Sequence, residues 1–164
     1  MEHGPISFET AQEMIITSES RNVSPIIRVP SVNQNDTLRS LDIGAHGIQF
    51  PNVENLNQIK KIIEYSCYPP LGNRGFSPFT RAGNYSIENA ENLTKNSNKN
   101  IIKIINFKNK EVAENIDDFL DEDIDVFFIG LYDMSKSLGI PGKIYDNEFK
   151  EYINKLNKKI LNKG

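Results

Sequence analysis

Four side chains in this 164-residue chain combine what carbonyl chemistry needs: His3, Arg28, Lys108 and Asp133. An imidazole can move a proton near neutral pH, and a guanidinium can hold a developing oxyanion. A lysine offers a charge or a nucleophilic amine, and an aspartate can ligate a metal. Arg28, Lys108 and Asp133 fall at or just beyond the predicted C-terminal ends of strands, where parallel α/β folds carry their active-site loops. Together with His3 they could polarise a carbonyl and move a proton. Each also has an ordinary structural reading. His3 would be an exposed histidine close to Met1, and Arg28 would pair with a nearby carboxylate. Lys108 would be a solvated charge ahead of a helix, and Asp133 would cap the helix beginning near Met134. Spacing alone leaves both readings open.

The positions of these residues depend on an alternation of short strands and helices. Pro25–Val29, Gly47–Phe50, Ile101–Phe107 and Val126–Gly130 are apolar runs rich in β-branched and aromatic residues. With few alternating polar positions, they predict strands buried on both faces of a parallel sheet. Helical spacing links Phe8, Ala11, Met14 and Ile15 behind a Ser7 cap. It also links Leu56, Ile59, Ile62 and Ile63, then Ile87, Ala90 and Leu93 behind Ser86. Val112, Ala113, Ile116, Phe119 and Leu120 predict one further helix, and Phe149 to Ile160 behind Asp146 predict the last. Strands separated by helices give βαβ units, hence an α/β fold with right-handed crossovers.

Composition narrows the function class. The chain has 19 Lys+Arg against 22 Asp+Glu, a net charge of -3, and no basic stripe, which argues against nucleic-acid binding. No apolar run approaches the roughly 20 residues of a membrane span, and the first residues lack signal-peptide character, so the expected compartment is the cytoplasm. Cys67 is the single cysteine, which excludes an internal disulfide and a cysteine-rich zinc site. It is expected to be a small, partly buried hydrophobe. The acidic run from Asp117 to Asp125 lacks EF-hand spacing and reads as a solvated helix end and loop. The abundance of Ile, Asn and Lys reflects an A+T-rich coding bias rather than function.

Six stretches, in order, carry a family resemblance. They are Glu2-His3-Gly4-Pro5, Ile27-Arg28-Val29-Pro30, Leu41 to Ile48 (LDIGAHGI), Pro51-Asn52-Val53-Glu54, Tyr68 to Gly75 (YPPLGNRG) and Phe128 to Ser135 (FIGLYDMS). Together they resemble the HpcH/HpaI-type pyruvate aldolases, the metal-dependent class that includes 2-dehydro-3-deoxyglucarate aldolase and 2,4-dihydroxyheptenedioate aldolase. The resemblance implies a (β/α)8 TIM barrel, and reversible aldol cleavage of a 2-keto-4-hydroxy acid to pyruvate and an aldehyde. It further implies a divalent metal (Mg2+, Mn2+ or Co2+) that stabilises the enolate as a Lewis acid. Carried over by position, His3 handles the proton, Arg28 holds the keto or enolate oxygen, and Asp133 is one of two carboxylate metal ligands. The backbone N–H groups around Tyr132 and Asp133 hold the pyruvate carboxylate. Arg74 lies in the glycine-flanked loop without an implied role. The family also implies a homo-oligomer, whose neighbouring subunit helps select the aldehyde.

Two departures accompany the resemblance. Where the family reads Gln-x-Glu, this chain reads Asn106-Phe107-Lys108, so the second metal-ligand position is occupied by Lys108. A cationic amine cannot ligate a divalent metal, and its charge opposes one nearby. The second departure is extent. Residues 1–164 are expected to form a single partial HpcH/HpaI aldolase-like domain, a partial TIM barrel of about four parallel strands with flanking helices. It would lack the first two and last two barrel strands, and the family's Asp ahead of the His stretch would fall before Met1. Three readings follow: an aldolase with an altered site, a non-catalytic remnant or pseudoenzyme acting as a binding or assembly module, and an enzyme using Lys108 as a Schiff-base amine. An unclosed sheet leaves two free edges, which predicts pairing with a second copy or a complementing chain.

Overall fold

The computed structural model describes residues 3–163; Glu2 of the first motif lies outside them. The chain runs α1 (Phe8–Glu19), β1 (Ile26–Arg28), α2 (Gln34–Asp42), β2 (Gly47–Phe50), α3 (Leu56–Ser66), α4 (Ala90–Asn100) and β3 (Ile102–Phe107). It continues through α5 (Lys110–Glu114), α6 (Ile116–Leu120), β4 (Val126–Ile129), α7 (Leu131–Ser137) and α8 (Asn147–Leu161). The four strands form one parallel sheet in sequential order, β1-β2-β3-β4. This is the strand order of consecutive βα units in a (β/α)8 barrel.

Side chains alternate across the sheet, and the two faces differ. Ile27, Ile48, Phe50, Ile105 and Phe107 are buried in the core between sheet and helices, with Leu41, Ile59, Ile62 and Ile116 closing over them. Ile26, Val126 and Phe128 alternate with that set and are 39%, 40% and 50% exposed. The expectation of strands buried on both faces is therefore corrected. One face has its helix layer; the other is the face that only a closed barrel would bury, and four strands do not close.

Local signals explain most element starts. Ser7 caps α1 as expected, its Oγ accepting from the Thr10 N–H at 3.2 Å. Asn33, Asn55 and Asn109 cap α2, α3 and α5 through side-chain oxygens. A residue attributed to coding bias is thus put to structural use. Helix α2 has no counterpart in the periodicity, because the residues it buries are Thr37, Ser40 and Leu41, two of them polar. It ends at Gly44, whose φ of +99° suits a residue without Cβ. Helix α4 starts at Ala90 rather than near Ser86, whose Oγ instead accepts from the Glu88 N–H. The helix expected over 112–120 is two short helices separated at Asn115. Asp146 stands at the N-cap of α8 without a side-chain cap bond, and Met14 is 54% exposed rather than in the core.

Two buried charges organise the N-terminal end of the sheet. Arg74 is 3% exposed; its guanidinium donates to Asp42 Oδ1 at 2.9 Å and lies 4.5 Å from the centre of the Tyr68 ring. Asn98 holds the Tyr68 backbone in both directions, accepting from its N–H at 2.7 Å and donating to its carbonyl at 3.0 Å. The LDIGAHGI and YPPLGNRG stretches therefore meet in space, and Arg74 is a structural anchor. Lys103, 2% exposed within β3, places Nζ 3.4 Å from both Asp123 and Asp125, and its backbone N–H donates to Asp125 at 2.7 Å. Asp117 and Asp121 pair with Lys159 and Lys163 of the C-terminal segment. The acidic run is exposed, as expected of a solvated helix end and loop, and its carboxylates also pair with these lysines. Cys67 is wholly buried, beyond the partial burial expected, and burial pushes its thiol above the ordinary range.

Two stability predictions follow from this packing. Phe107→Ala removes a fully buried ring from the centre of the core and is expected to cost about 3–5 kcal/mol by chemical denaturation. Asp125→Ala strips a partner from the buried Lys103 ammonium and from its backbone N–H, at about 1–3 kcal/mol. Lys103→Met leaves only exposed carboxylates behind and should be close to neutral. Equal losses for both variants would contradict this asymmetry.

Candidate active site

The C-terminal ends of β1, β3 and β4 open onto one cleft of about 430 Å³. His3, Arg28, Asn106, Lys108, Tyr132 and Asp133 line it, over a floor formed by Phe128 to Leu131. Every residue singled out for chemistry in the sequence is therefore on the same cleft. His3 reaches it from the segment before α1, and Arg28 from the last position of β1. His3 is exposed, as its surface reading expects, and it also borders the cleft.

The β3–β4 pairing sets the rest of the geometry. Asn106 and Phe107 lie opposite Phe128 and Ile129, and the ladder closes as the Gly130 N–H donates to the Phe107 carbonyl at 3.1 Å. Beyond that bond each chain turns into a helix. Asn109 caps α5, leaving Lys108 alone between strand end and cap. Gly130 is the N-cap of α7, so Asp133 sits in the first helical turn rather than at the cap. Met134 and Ser135, both fully buried, hold α7 against the core. The Ser137 hydroxyl accepts from the Lys110 N–H at 2.8 Å and ties α7 to the start of α5.

Lys108 Nζ consequently faces Asp133 Oδ2 at 3.4 Å, the lysine 21% exposed and the aspartate 54%. An exposed pair of this kind contributes roughly 0.2–1 kcal/mol, so an incoming anion can compete for the ammonium. Gly130 leaves room beside this pair. A Cβ there would lie 3.1 Å from Lys108 Cγ and 3.3 Å from Asn106 Oδ1. Asn106 itself is 2% exposed, and its Oδ1 has no hydrogen-bond partner among the described residues. Sequence reasoning registered Asn106 only as a replaced Gln and did not assign Gly130 a part. The signal for both was the family motif, but burial and close approach needed coordinates. Tyr132 is 68% exposed and borders the cleft mouth.

Among the described lining residues, Arg28, Lys108 and Asp133 carry fixed charges, and the two cationic groups suit contacts to the oxygens of a small anion. The residues present do not fit a divalent cation. Asp133 supplies the carboxylate among the described lining residues, and an ammonium already faces it. Among the described residues no group of three His, Cys, Asp or Glu side chains could hold a metal ion. A larger cleft of about 560 Å³ lies near the opposite end of the sheet. Its charged side chains are engaged internally, with Glu19 accepting from Arg81 and facing His46 Nε2 at 3.0 Å, and Arg74 bound to Asp42. In parallel barrels that end serves stability rather than chemistry. No helix among the described residues is long and apolar enough to cross a membrane.

Comparison with known proteins agrees with this architecture. A family model for HpcH/HpaI aldolase/citrate lyase matches residues 1–162. The chain is 30% identical over 142 residues to a 2-keto-3-deoxy-L-rhamnonate aldolase of Klebsiella pneumoniae, covering 85% of this chain and 52% of that one. It is 30% identical over 165 residues to a hydroxypyruvate/pyruvate aldolase of Roseobacter denitrificans, covering 99% of this chain and 64% of that one. The crystal structure of an HpcH/HpaI aldolase from Desulfitobacterium hafniense superposes with a TM-score of 0.91 at 26% identity, over 99% of this chain and 63% of its own. The chain thus spans between about half and two thirds of these relatives. With its fold, its cleft and the match over nearly its full length in agreement, this chain belongs to the HpcH/HpaI aldolase/citrate lyase family.

Proposed function

We propose that the cleft is the keto-acid site of a carbon–carbon lyase that cleaves a 2-keto-4-hydroxy acid to pyruvate and an aldehyde. The observation that carries this reading is the convergence of His3, Arg28, Lys108 and Asp133 on one cleft at strand C-terminal ends, in a chain of this family. In the forward direction the C4 hydroxyl loses a proton and the C3–C4 bond breaks. The aldehyde leaves, and the bonding pair becomes a pyruvate enolate, which is then protonated at C3. Arg28 holds the charge that develops on the enolate oxygen, as a preorganised donor does. His3 moves the proton. The backbone N–H groups of Tyr132 and Asp133 hold the substrate carboxylate. Divalent-metal dependence is general in this family, but the pairing of Lys108 with Asp133 speaks against it here, and no step of the reading uses a metal.

The reading extends to setting and assembly. The chain corresponds to the barrel sector between the first two and last two strands and works in the cytoplasm. It associates with a second copy or a complementing chain, which would cover the exposed Ile26, Val126 and Phe128. The competing reading, a non-catalytic binding module, draws on the same Lys108–Asp133 pair.

Deuterium exchange into the pyruvate methyl group, followed by NMR in D2O with EDTA and again with added Mn2+ or Mg2+, tests enolisation directly. Exchange is expected, and His3→Ala should slow it by about 10²-fold or more. Absence of exchange in both media would overturn the enzymatic reading in favour of the binding module. For assembly, sedimentation velocity should show concentration-dependent association; a dilute monomer with one cooperative melt would count against it.

A further inference from the structure

The family's catalytic ion is a divalent cation, yet the cleft has a fixed charge where a second carboxylate ligand would stand. Lys108 is confined there. Phe107, the residue before it, is held in the sheet by the Gly130 N–H, and Asn109, the residue after it, is committed to capping α5 through the Val112 N–H at 2.9 Å. Its side chain packs over Gly130, and its Nζ faces the Asp133 carboxylate at 3.4 Å. Asp133 is thereby charge-balanced without a metal.

We propose that Lys108 is the resident cation of this cleft: its ammonium replaces the divalent ion, binds the carboxylate or keto oxygen of a 2-oxo acid, and closes the site to divalent metals. This rests on the keto-acid reading of the same cleft. An ammonium carries three N–H donors. Its contact with Asp133 uses one, which leaves donors for a substrate. Asn106 Oδ1, buried and without a partner among the described residues, borders the same space and adds a neutral acceptor to it. The role is electrostatic rather than covalent. The proposed contact to the 2-oxo acid uses N–H donors and forms no imine.

Two binding measurements on the full chain test this without turnover. Water-proton relaxation reports bound Mn2+, and saturation-transfer NMR in EDTA reports bound pyruvate. Wild type is expected to bind pyruvate in EDTA and to hold no Mn2+ that Asp133→Asn removes. Lys108→Met should weaken pyruvate at least ~10-fold, and Lys108→Arg should restore most of the affinity, with circular dichroism confirming that both variants fold. Gain of one Mn2+ per chain in Lys108→Glu, lost again when Asp133→Asn is added, would support the replacement. Four results would overturn it: Asp133-dependent Mn2+ binding by wild type, no pyruvate binding in EDTA, unchanged pyruvate affinity in Lys108→Met, or a borohydride-stable pyruvate adduct on Lys108. Mn2+ bound at Asp133 together with deuterium exchange would sink this inference and spare the lyase reading. Lys108-dependent pyruvate binding without any exchange would do the reverse.

Discussion

The hydrogen bond from the Gly130 N–H to the Phe107 carbonyl closes the β3–β4 ladder at the last residue of β3, and the cleft is built on that closure. Parallel strands hold their register only where one face is tightly buried. Phe107 and Ile105, fully buried, and Ile129, packed against the core, supply that constraint here. With the register set, the first residue after β3 and the first turn after β4 must face one another. Lys108 and Asp133 therefore meet because of packing beneath the sheet, and not because their own pairing is strong. A pair this exposed contributes too little to position the elements that bear it.

The two ends of the sheet use charge differently. At the N-terminal end, Arg74 and Lys103 are almost wholly buried, Arg74 against Asp42 and Lys103 against Asp123 and Asp125. Buried charges paired in this way hold their loops in place, and removing a partner leaves a desolvated ion. At the C-terminal end, Lys108 and Asp133 line an open cleft and are only lightly committed to each other. That difference in commitment separates scaffold from site more clearly than cleft size, since the roomier depression lies near the scaffold end.

Where sequence patterns failed, the cause was local and physical. Helix α2 buries Thr37 and Ser40, so its inner face shows no apolar period. The helix expected over 112–120 keeps its apolar spacing across a break at Asn115, because Val112, Ala113, Ile116 and Phe119 all still reach the core. Periodicity records burial, which a broken helix preserves. Strands that read as buried on both faces have one open face, since an apolar run cannot reveal how many strands will close around it. The acidic run likewise gave no sign that Asp123 and Asp125 would converge on a lysine in the middle of a strand.

By itself the sequence determined the alternation of four strands with helices, the family, and the residue types available for carbonyl chemistry. These depend on local periodicity and on ordered motifs, both written along one dimension. Only the tertiary structure decided that His3 and Arg28 share a cleft with Lys108 and Asp133, and that Arg74 serves as an anchor on Asp42. It also decided that a lysine replacing a ligand stands face to face with the remaining carboxylate. Those outcomes depend on distances between residues far apart in the chain. Such distances exist only once register and helix packing are set.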